Sequence, residues 1–203
     1  MEDLIEKKFR EWTAGLKPLE ARISLFRHVQ NIPYAIVPAL RDPVNGPKGL
    51  LDKTQGSCQP KHYLLRQLFS KLGLETKLVT YPFKWADCPI KYPPDIKKIV
   101  KDLPSAYHLA LKAKIDGRWV LVDATYDPPL AKAGFPVTKD WDGKSDTLNA
   151  AVPSEEIVHE SVDERVVYET GKRSLQTVAE KALYSEFVER LNSWLVNIRK
   201  HVI

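Results

Sequence analysis

The sequence has little cysteine, no long apolar run and no apolar leader. Only two of its 203 residues are cysteine, too few for the disulfide framework of a small secreted domain. No stretch approaches the ~18–20 consecutive apolar residues that a membrane-spanning helix needs. The first residues, MEDLIEKKFREW, are charged from position 2 and lack the apolar centre of a secretory signal. These absences predict a cytoplasmic protein without a membrane partner.

Charge of one sign is also not concentrated anywhere in the chain. The 31 Lys and Arg residues against 26 Asp and Glu give a net charge of +5. No block of five like charges occurs, and no basic run is interleaved with aromatic residues, so we expect no nucleic-acid partner. The hydrophobic fraction of 43% and the length are sufficient for a core that needs no metal or disulfide to fold. Composition leaves the oligomeric state open.

Apolar periodicity predicts helices at both ends of the chain and strands between them. Helical spacing of apolar residues occurs at 2–12, 18–30, 58–72 and 174–200, and a short basic helix is predicted around 95–101. Segment 38–50, which holds three prolines and two glycines, is predicted to be a loop.

The predicted strands form an antiparallel hairpin preceded by one further strand. LETKLVTY ends at Pro82, and residues 107–115 and 118–125 flank Asp116-Gly117, a strong hairpin-turn signal. A weaker strand is predicted at 165–169. Together these elements predict an α+β fold in one domain, residues 1–203, with a core at about 18–130 and a C-terminal extension at 131–203 that ends in a long helix.

Cys58 is the first candidate for chemistry, because it lies at the predicted start of a helix. Pro60 suits the first helical turn, where a missing N–H costs nothing. The free N–H groups and partial positive charge of a helix start favour a thiolate, which is the nucleophilic form of cysteine. The same N–H groups can stabilise an oxyanion. A buried structural cysteine is the alternative at this position alone.

The hairpin brings His108 and Asp123 to one face of the sheet. With Asp116 and Gly117 as a two-residue turn, Ile115 faces Arg118 and Ala110 faces Asp123. His108 and Asp123 are then diagonal neighbours, about 7–8 Å apart at the backbone. This separation permits a hydrogen bond between imidazole and carboxylate, which orients the ring as a general base.

The segments GSCQPKHYLLRQLFSKLGLETKLV, YHLALKAKIDGRWVLVDAT and LFRHVQNIPY together resemble the transglutaminase-like superfamily of papain-like cysteine enzymes, in its single-domain microbial type. The resemblance covers roughly residues 22–128. It implies a helix that carries the cysteine, packed on an antiparallel sheet that carries the His and Asp. It also implies that Cys58 is the nucleophile, His108 the general base and acid, and Asp123 the orienting carboxylate. The acidic loops of calcium-dependent members are not evident, so neither a metal nor another cofactor is expected.

The resemblance implies acyl transfer or hydrolysis of an amide through a thioester, with a peptide, protein or small amide as substrate. Peptidase, amidase and transglutaminase activities all remain open. Two alternatives are a non-catalytic peptide-binding module on the same fold and an acyltransferase resembling arylamine N-acetyltransferases.

Several further residues are candidates for the surroundings of the site. Gln55, Tyr34 and Trp85 are candidate oxyanion or cleft residues. We expect the proline-rich insertion 82–104 to border the cleft, because long connections between core elements are often functional. Cys88 within it is expected not to form a disulfide with Cys58. His62 is expected to be a polar helix residue near the cleft, and Trp119 a core residue.

Overall fold

The chain folds as an α+β protein in which helices precede and follow a small antiparallel sheet. The structure, a computed structural model, describes residues 3–200. In chain order the elements are α1 (Leu4–Thr13), α2 (Pro18–Asn31), α3 (Gly46–Lys53), α4 (Cys58–Lys71), β1 (Thr76–Phe83), α5 (Pro94–Val100), β2 (Ala106–Ile115), β3 (Arg118–Val122), β4 (Ile157–His159), α6 (Val162–Ser174) and α7 (Val178–Lys200). Short 3-10 turns lie at Pro38–Leu40, Trp85–Asp87 and Pro128–Ala133.

The four strands form one sheet in the order β3-β2-β1-β4, and all neighbours are antiparallel. The hairpin between β2 and β3 has the predicted register, with Ile115 opposite Arg118. Its two turn residues, Asp116 and Gly117, have φ of 50° and 81°. Positive φ at both positions matches the right-handed twist of the flanking strands. Strand β3 ends at Val122, so Asp123 follows the strand directly instead of lying within it.

The main core lies between helix α4 and one face of the sheet. Alternation along β2 directs Leu109, Leu111, Ala113 and Ile115 into this core. Leu64, Leu65, Leu68 and Phe69 of α4 meet them and are fully buried. The start of α4 is therefore held by packing along the whole helix.

A second apolar cluster packs helix α7 against the loops around the sheet. Phe187, Leu191 and Leu195 of α7 are fully buried there. Trp85, Ile96 and Phe135 belong to the same cluster. The C-terminal helix thus covers the proline-rich insertion.

Two of the predicted elements were wrong. Segment 38–50 was predicted to be a loop, but it contains the 3-10 turn at Pro38–Leu40 and most of helix α3. Proline stands in the first turn of both pieces, where it starts a helix instead of breaking it. The strand predicted at 165–169 lies inside α6, which is capped by the Ser161 hydroxyl accepting from the Glu164 N–H.

Some predicted core positions are exposed. Trp119 is 40% exposed, because it lies near the turn of the hairpin, on the face of β3 turned away from the main core, and the Lys77 ammonium lies over its ring. Leu175 and Val178, which belong to the apolar spacing of the predicted helix 174–200, are also exposed, since α7 begins only at Val178 and its buried stripe starts further along. Among residues 3–200, no helix is both long and apolar enough to cross a membrane.

Candidate active site

Cys58 is the first residue of helix α4, and the chain enters this helix through a tightly packed glycine. The Gly56 N–H donates to the Pro33 carbonyl at 3.0 Å, and its carbonyl accepts from the Ala35 N–H at 3.2 Å. A Cβ at this glycine would lie 2.5 Å from Leu50 Cδ1 and 3.0 Å from Pro60 Cγ. Gly56 thus fits where a larger residue would not, and it fixes the start of α4.

His108 and Asp123 lie within hydrogen-bonding distance of each other. His108 Nε2 donates to Asp123 Oδ2 at 2.7 Å, and both side chains are buried. Cys58 and His108 line the same cleft, and the His108 side chain acts on the Cys58 thiol enough to lower its pKa. Since Nε2 faces Asp123, Nδ1 is the ring nitrogen left for the thiol.

The Asp123 carboxylate is held by backbone donors as well. Its Oδ2 accepts from the Ala150 N–H at 2.8 Å, and its Oδ1 from the Thr125 N–H at 3.1 Å. The Asp123 N–H in turn donates to the Thr147 hydroxyl at 2.8 Å. These bonds hold the Asp123 carboxylate in place independently of the imidazole.

The electrostatics of the three groups favour their charged forms. Burial lowers the pKa of His108, but the charge and hydrogen bond of Asp123 outweigh it and raise the pKa to about 10. Burial raises the pKa of the Cys58 thiol, yet the hydrogen bond and charge of His108 bring it below its ordinary value. Burial likewise opposes ionisation of Asp123, and the His108 charge holds the pKa of that carboxyl well below its usual range. The imidazolium and the carboxylate are thereby favoured, and the thiolate of Cys58 forms more readily than that of an ordinary cysteine.

His62 connects the cysteine helix to the strand that leads to Asp123. Its Nε2 accepts from the Ala124 N–H at 3.0 Å, so Nδ1 carries the proton and donates to the Cys58 carbonyl at 2.8 Å. Burial lowers the pKa of His62 to about 4. His62 was expected to be a polar helix residue near the cleft, but its ring is fully buried and is not among the residues that line the cleft.

Lys61 makes a second buried connection, from α4 to the end of α2 and to the segment after Asp123. Its ammonium donates to the carbonyls of Gln30 at 3.0 Å, Thr125 at 2.8 Å and Ala124 at 3.4 Å. Burial lowers the pKa of Lys61 to about 7 even though Asp127 is near. These bonds hold the chain just after Asp123 against the end of α2.

Cys58 and His108 open onto a cleft with about 470 Å³ of space between its walls, part of it open to solvent. The other residues that line it are Tyr34, Ile36, Arg41, Ser57, Gln59, Phe83, Trp85, Ala106, Tyr107, Thr125, Tyr126, Ala150, Arg173 and Tyr184.

Of the three candidate cleft residues, two line the cleft. The Trp85 indole Nε1 is buried without a hydrogen-bond partner among the described residues. Burial raises the pKa of Tyr34 well above its ordinary value, so the phenol stays protonated. Gln55 is exposed and does not line the cleft, so the sequence-based assignment of this residue was wrong. The backbone pairing of Gly56 with residues 33–35 turns the preceding side chain outward.

The insertion 82–104 lines the cleft at its start and packs in the apolar cluster with α7 further along. The whole insertion was expected to border the cleft, but of its residues only Phe83 and Trp85 are among those that line it. Cys88 and Ile96 pack instead in the cluster beneath α7. Cys58 and Cys88 are both free thiols, and burial raises the pKa of Cys88 to about 11.

Sequence reasoning missed most of the cleft wall. Gln59 and Tyr107 are direct neighbours of Cys58 and His108, and that adjacency was an available signal. Three lining residues come from distant segments: Arg41 from the turn before α3, Arg173 from α6 and Tyr184 from α7. No local pattern links these distant segments to the cysteine.

No group of three or more His, Cys, Asp or Glu side chains within residues 3–200 is arranged to hold a metal ion.

No protein-family model matches the chain, and no curated protein matches it. Among solved structures, it is similar to one described as a "putative cysteine protease" from Cytophaga hutchinsonii, at 15% identity and a TM-score of 0.43, over 77% of this chain and 46% of that one. It is also similar to a "putative protease" from Parabacteroides distasonis, at 16% identity and a TM-score of 0.39, over 60% of this chain and 23% of that one. The chain therefore spans less than half the length of either solved protein.

Proposed function

We propose that this protein is a cysteine-dependent acyl-transfer enzyme that acts on amides through a Cys58–His108–Asp123 triad. The proposal is supported by the hydrogen bond between His108 Nε2 and Asp123 Oδ2 at 2.7 Å in the cleft that also holds Cys58. The His108 side chain in turn lowers the pKa of the Cys58 thiol. A cysteine with a merely structural role does not need an imidazole held in this way by a buried carboxylate.

In the proposed reaction, the Cys58 thiolate attacks the carbonyl carbon of the substrate and forms a C–S bond. His108 then delivers the Nδ1 proton to the leaving nitrogen, the C–N bond breaks, and a thioester remains on Cys58. Water or an amine attacks the thioester and gives its proton to His108, and the C–S bond breaks. Water as the acceptor makes the protein a peptidase or amidase, and an amine makes it a transglutaminase.

The oxyanion of the tetrahedral intermediate would be stabilised by N–H groups of residues that line the cleft. The backbone N–H groups of Cys58 and Gln59 stand in the first turn of α4, where a helix has no internal acceptors for them. The unpartnered Trp85 indole N–H is a side-chain donor on the cleft wall. Support for this assignment comes from the otherwise unexplained burial of an unbonded N–H group.

Thiol alkylation tests the triad without any known substrate. We expect iodoacetamide to modify Cys58 with an apparent pKa below the ordinary value near 8.5, because His108 stabilises the thiolate. His108→Ala should slow the reaction at neutral pH at least about tenfold, and Asp123→Asn should slow it less. The measurement is the alkylation rate of Cys58 against pH, followed by peptide mass.

Cys88 in the same protein is the internal control, since burial raises the pKa of its thiol and it should react slowly throughout. An apparent Cys58 pKa at or above 8.5 that His108→Ala leaves unchanged would contradict the proposed mechanism.

A further inference from the structure

One wall of the cleft carries two arginines and no carboxylate. Arg41 follows the 3-10 turn at Pro38–Leu40, and Arg173 lies in the last turn of α6. Both line the cleft that holds Cys58, whereas no Asp or Glu lines it. Tyr184, also in the lining, is within electrostatic reach of both guanidinium groups and of the Cys58 thiol.

The carboxylate that pairs with Arg173 already accepts from several donors. Glu169 accepts from the Gln59 side-chain amide, from Arg165 Nη1 at 3.0 Å and from Arg173 Nε at 2.7 Å. Its charge also acts on Arg41. One carboxylate therefore faces three guanidinium groups, and the wall keeps an excess of positive charge.

The two cleft arginines retain donors for a ligand. Among residues 3–200, no carboxylate forms an ion pair with Arg41. Arg173 bonds Glu169 through Nε, and none of the hydrogen bonds between described residues uses its Nη atoms. Because Glu169 fixes Arg173 from behind, its Nη groups are oriented before any ligand arrives. Arginine forks of this kind match the two oxygens of a carboxylate.

We propose that Arg41 and Arg173 form an anion subsite that selects amide substrates with a carboxylate beside the reacting carbonyl group. The inference rests on the proposed function and names its substrate class: acidic peptides or peptides that end near the cleaved bond. The carboxylate binds the two guanidinium groups, and the carbonyl carbon meets the thiolate of Cys58.

A pair of alkylating reagents that differ in charge tests the subsite. Iodoacetate and iodoacetamide react with thiolates by the same displacement of iodide, but only iodoacetate carries a carboxylate. We expect the ratio of their rates at Cys58 to exceed the ratio for free N-acetylcysteine by at least about fivefold at low salt. Added salt should reduce the excess, since screening weakens attraction between charges that water reaches.

Arginine variants locate the effect. Arg41→Gln should lower the rate ratio toward that of N-acetylcysteine, and it breaks no ion pair of the fold. Arg173→Gln should do the same. Arg27→Gln, which removes the same charge from an exposed residue outside the cleft, is the matched control and should keep the wild-type ratio. The rate ratio cancels any change in the reactivity of the thiol itself. Slow alkylation of Cys58 by both reagents would therefore refute the triad. Fast alkylation with the same rate ratio as N-acetylcysteine would refute only the subsite.

Iodoacetyl dipeptides distinguish the two sources of the carboxylate. The neutral iodoacetyl-Gly-Gln-amide is compared with iodoacetyl-Gly-Gln, which has a free C-terminus, and with iodoacetyl-Gly-Glu-amide, which has an acidic side chain. Faster labelling by the free C-terminus indicates a carboxypeptidase-like substrate, and faster labelling by the acidic side chain indicates an internal acidic residue. Equal rates for all three labels would overturn the proposal.

Discussion

At the scale of single residues, His62 shows how a buried group can hold the site without taking part in the reaction. The ring bridges the Cys58 carbonyl and the Ala124 N–H. The bond from Ala124 requires the neutral ring, because protonation would place a hydrogen on Nε2, against the Ala124 N–H, whereas Nδ1–H donates to the Cys58 carbonyl in either form. His62 therefore makes both links between α4 and the segment after Asp123 only above its own pKa.

This coupling predicts loss of stability in acid. In the unfolded chain the pKa of His62 is near 6.5, and in the folded protein it is about 4. Between these values the unfolded chain binds more protons, so the free energy of unfolding falls as the pH drops from 6.5 to 4. A shift of this size corresponds to about 3 kcal/mol. We expect His62→Gln, which does not titrate, to show a shallower dependence of the urea midpoint on pH in this window. An equally steep dependence in the variant would assign the acid sensitivity to other groups.

Much of the residue-scale geometry could be predicted from the sequence, because a hairpin is a local structure. The Asp116-Gly117 turn fixes which residues of β2 and β3 face each other, and this alone brought His108 near Asp123. The wall arginines could not be predicted in this way. Arg41 and Arg173 lie 132 positions apart (173 − 41), and they line the same cleft only in the folded protein.

At the scale of elements, the start of α4 depends on the space around Gly56. A Cβ at this position would lie 2.5 Å from Leu50 Cδ1. We expect Gly56→Ala to destabilise the protein by about 1–3 kcal/mol, as overpacking does, and to slow Cys58 alkylation by displacing the first turn of the helix. Urea denaturation and the alkylation rate measure the two effects.

Gly171 provides the matched control for that substitution. It lies inside α6, and an added Cβ would meet no heavy atom within 4 Å. The same change, Gly171→Ala, should stabilise the protein by about 0.5–1 kcal/mol through the helix preference of alanine. If both variants lost stability to a similar extent, the tight packing at Gly56 would not be the cause.

The errors at this scale have a common physical origin. The prolines of segment 38–50 predict a loop, but a proline in the first turn is compatible with a helix, as Pro47 shows in α3. At 165–169, Arg165 and Glu169 form an ion pair one helical turn apart, a spacing that indicates a helix. The long helices 18–30 and 58–72 were predicted well, since their apolar stripes face one large core.

At the scale of the whole molecule, the C-terminal helix holds the segment that forms the cleft wall at Tyr34. Asn192 accepts from the Ile36 N–H at 2.9 Å and donates to the Ile36 carbonyl at 3.0 Å. Arg199 donates to both oxygens of Asp127, at 2.7 and 2.8 Å, and to the Tyr34 carbonyl at 2.8 Å. Asp127 in turn accepts from the Tyr34 N–H at 2.7 Å. The last turns of α7 therefore connect the C-terminal part of the chain to the wall of the site.

The Arg199–Asp127 ion pair should contribute both to the stability of the fold and to the position of Tyr34 in the cleft wall. Arg199→Gln leaves the buried Asp127 carboxylate with the Tyr34 N–H but without its guanidinium partner, so we expect a loss of about 3 kcal/mol in the free energy of unfolding. Tyr34 should then lose its fixed position, and Cys58 alkylation should change in rate at temperatures where the variant is still folded. Arg190→Gln is the matched control on the same helix. Its ion pair with Glu186 is exposed, and its removal should cost less than about 1 kcal/mol and leave the alkylation rate unchanged. Equal losses in the two variants would mean that α7 contributes by apolar packing alone and that the Arg199–Asp127 pair does not hold the cleft wall.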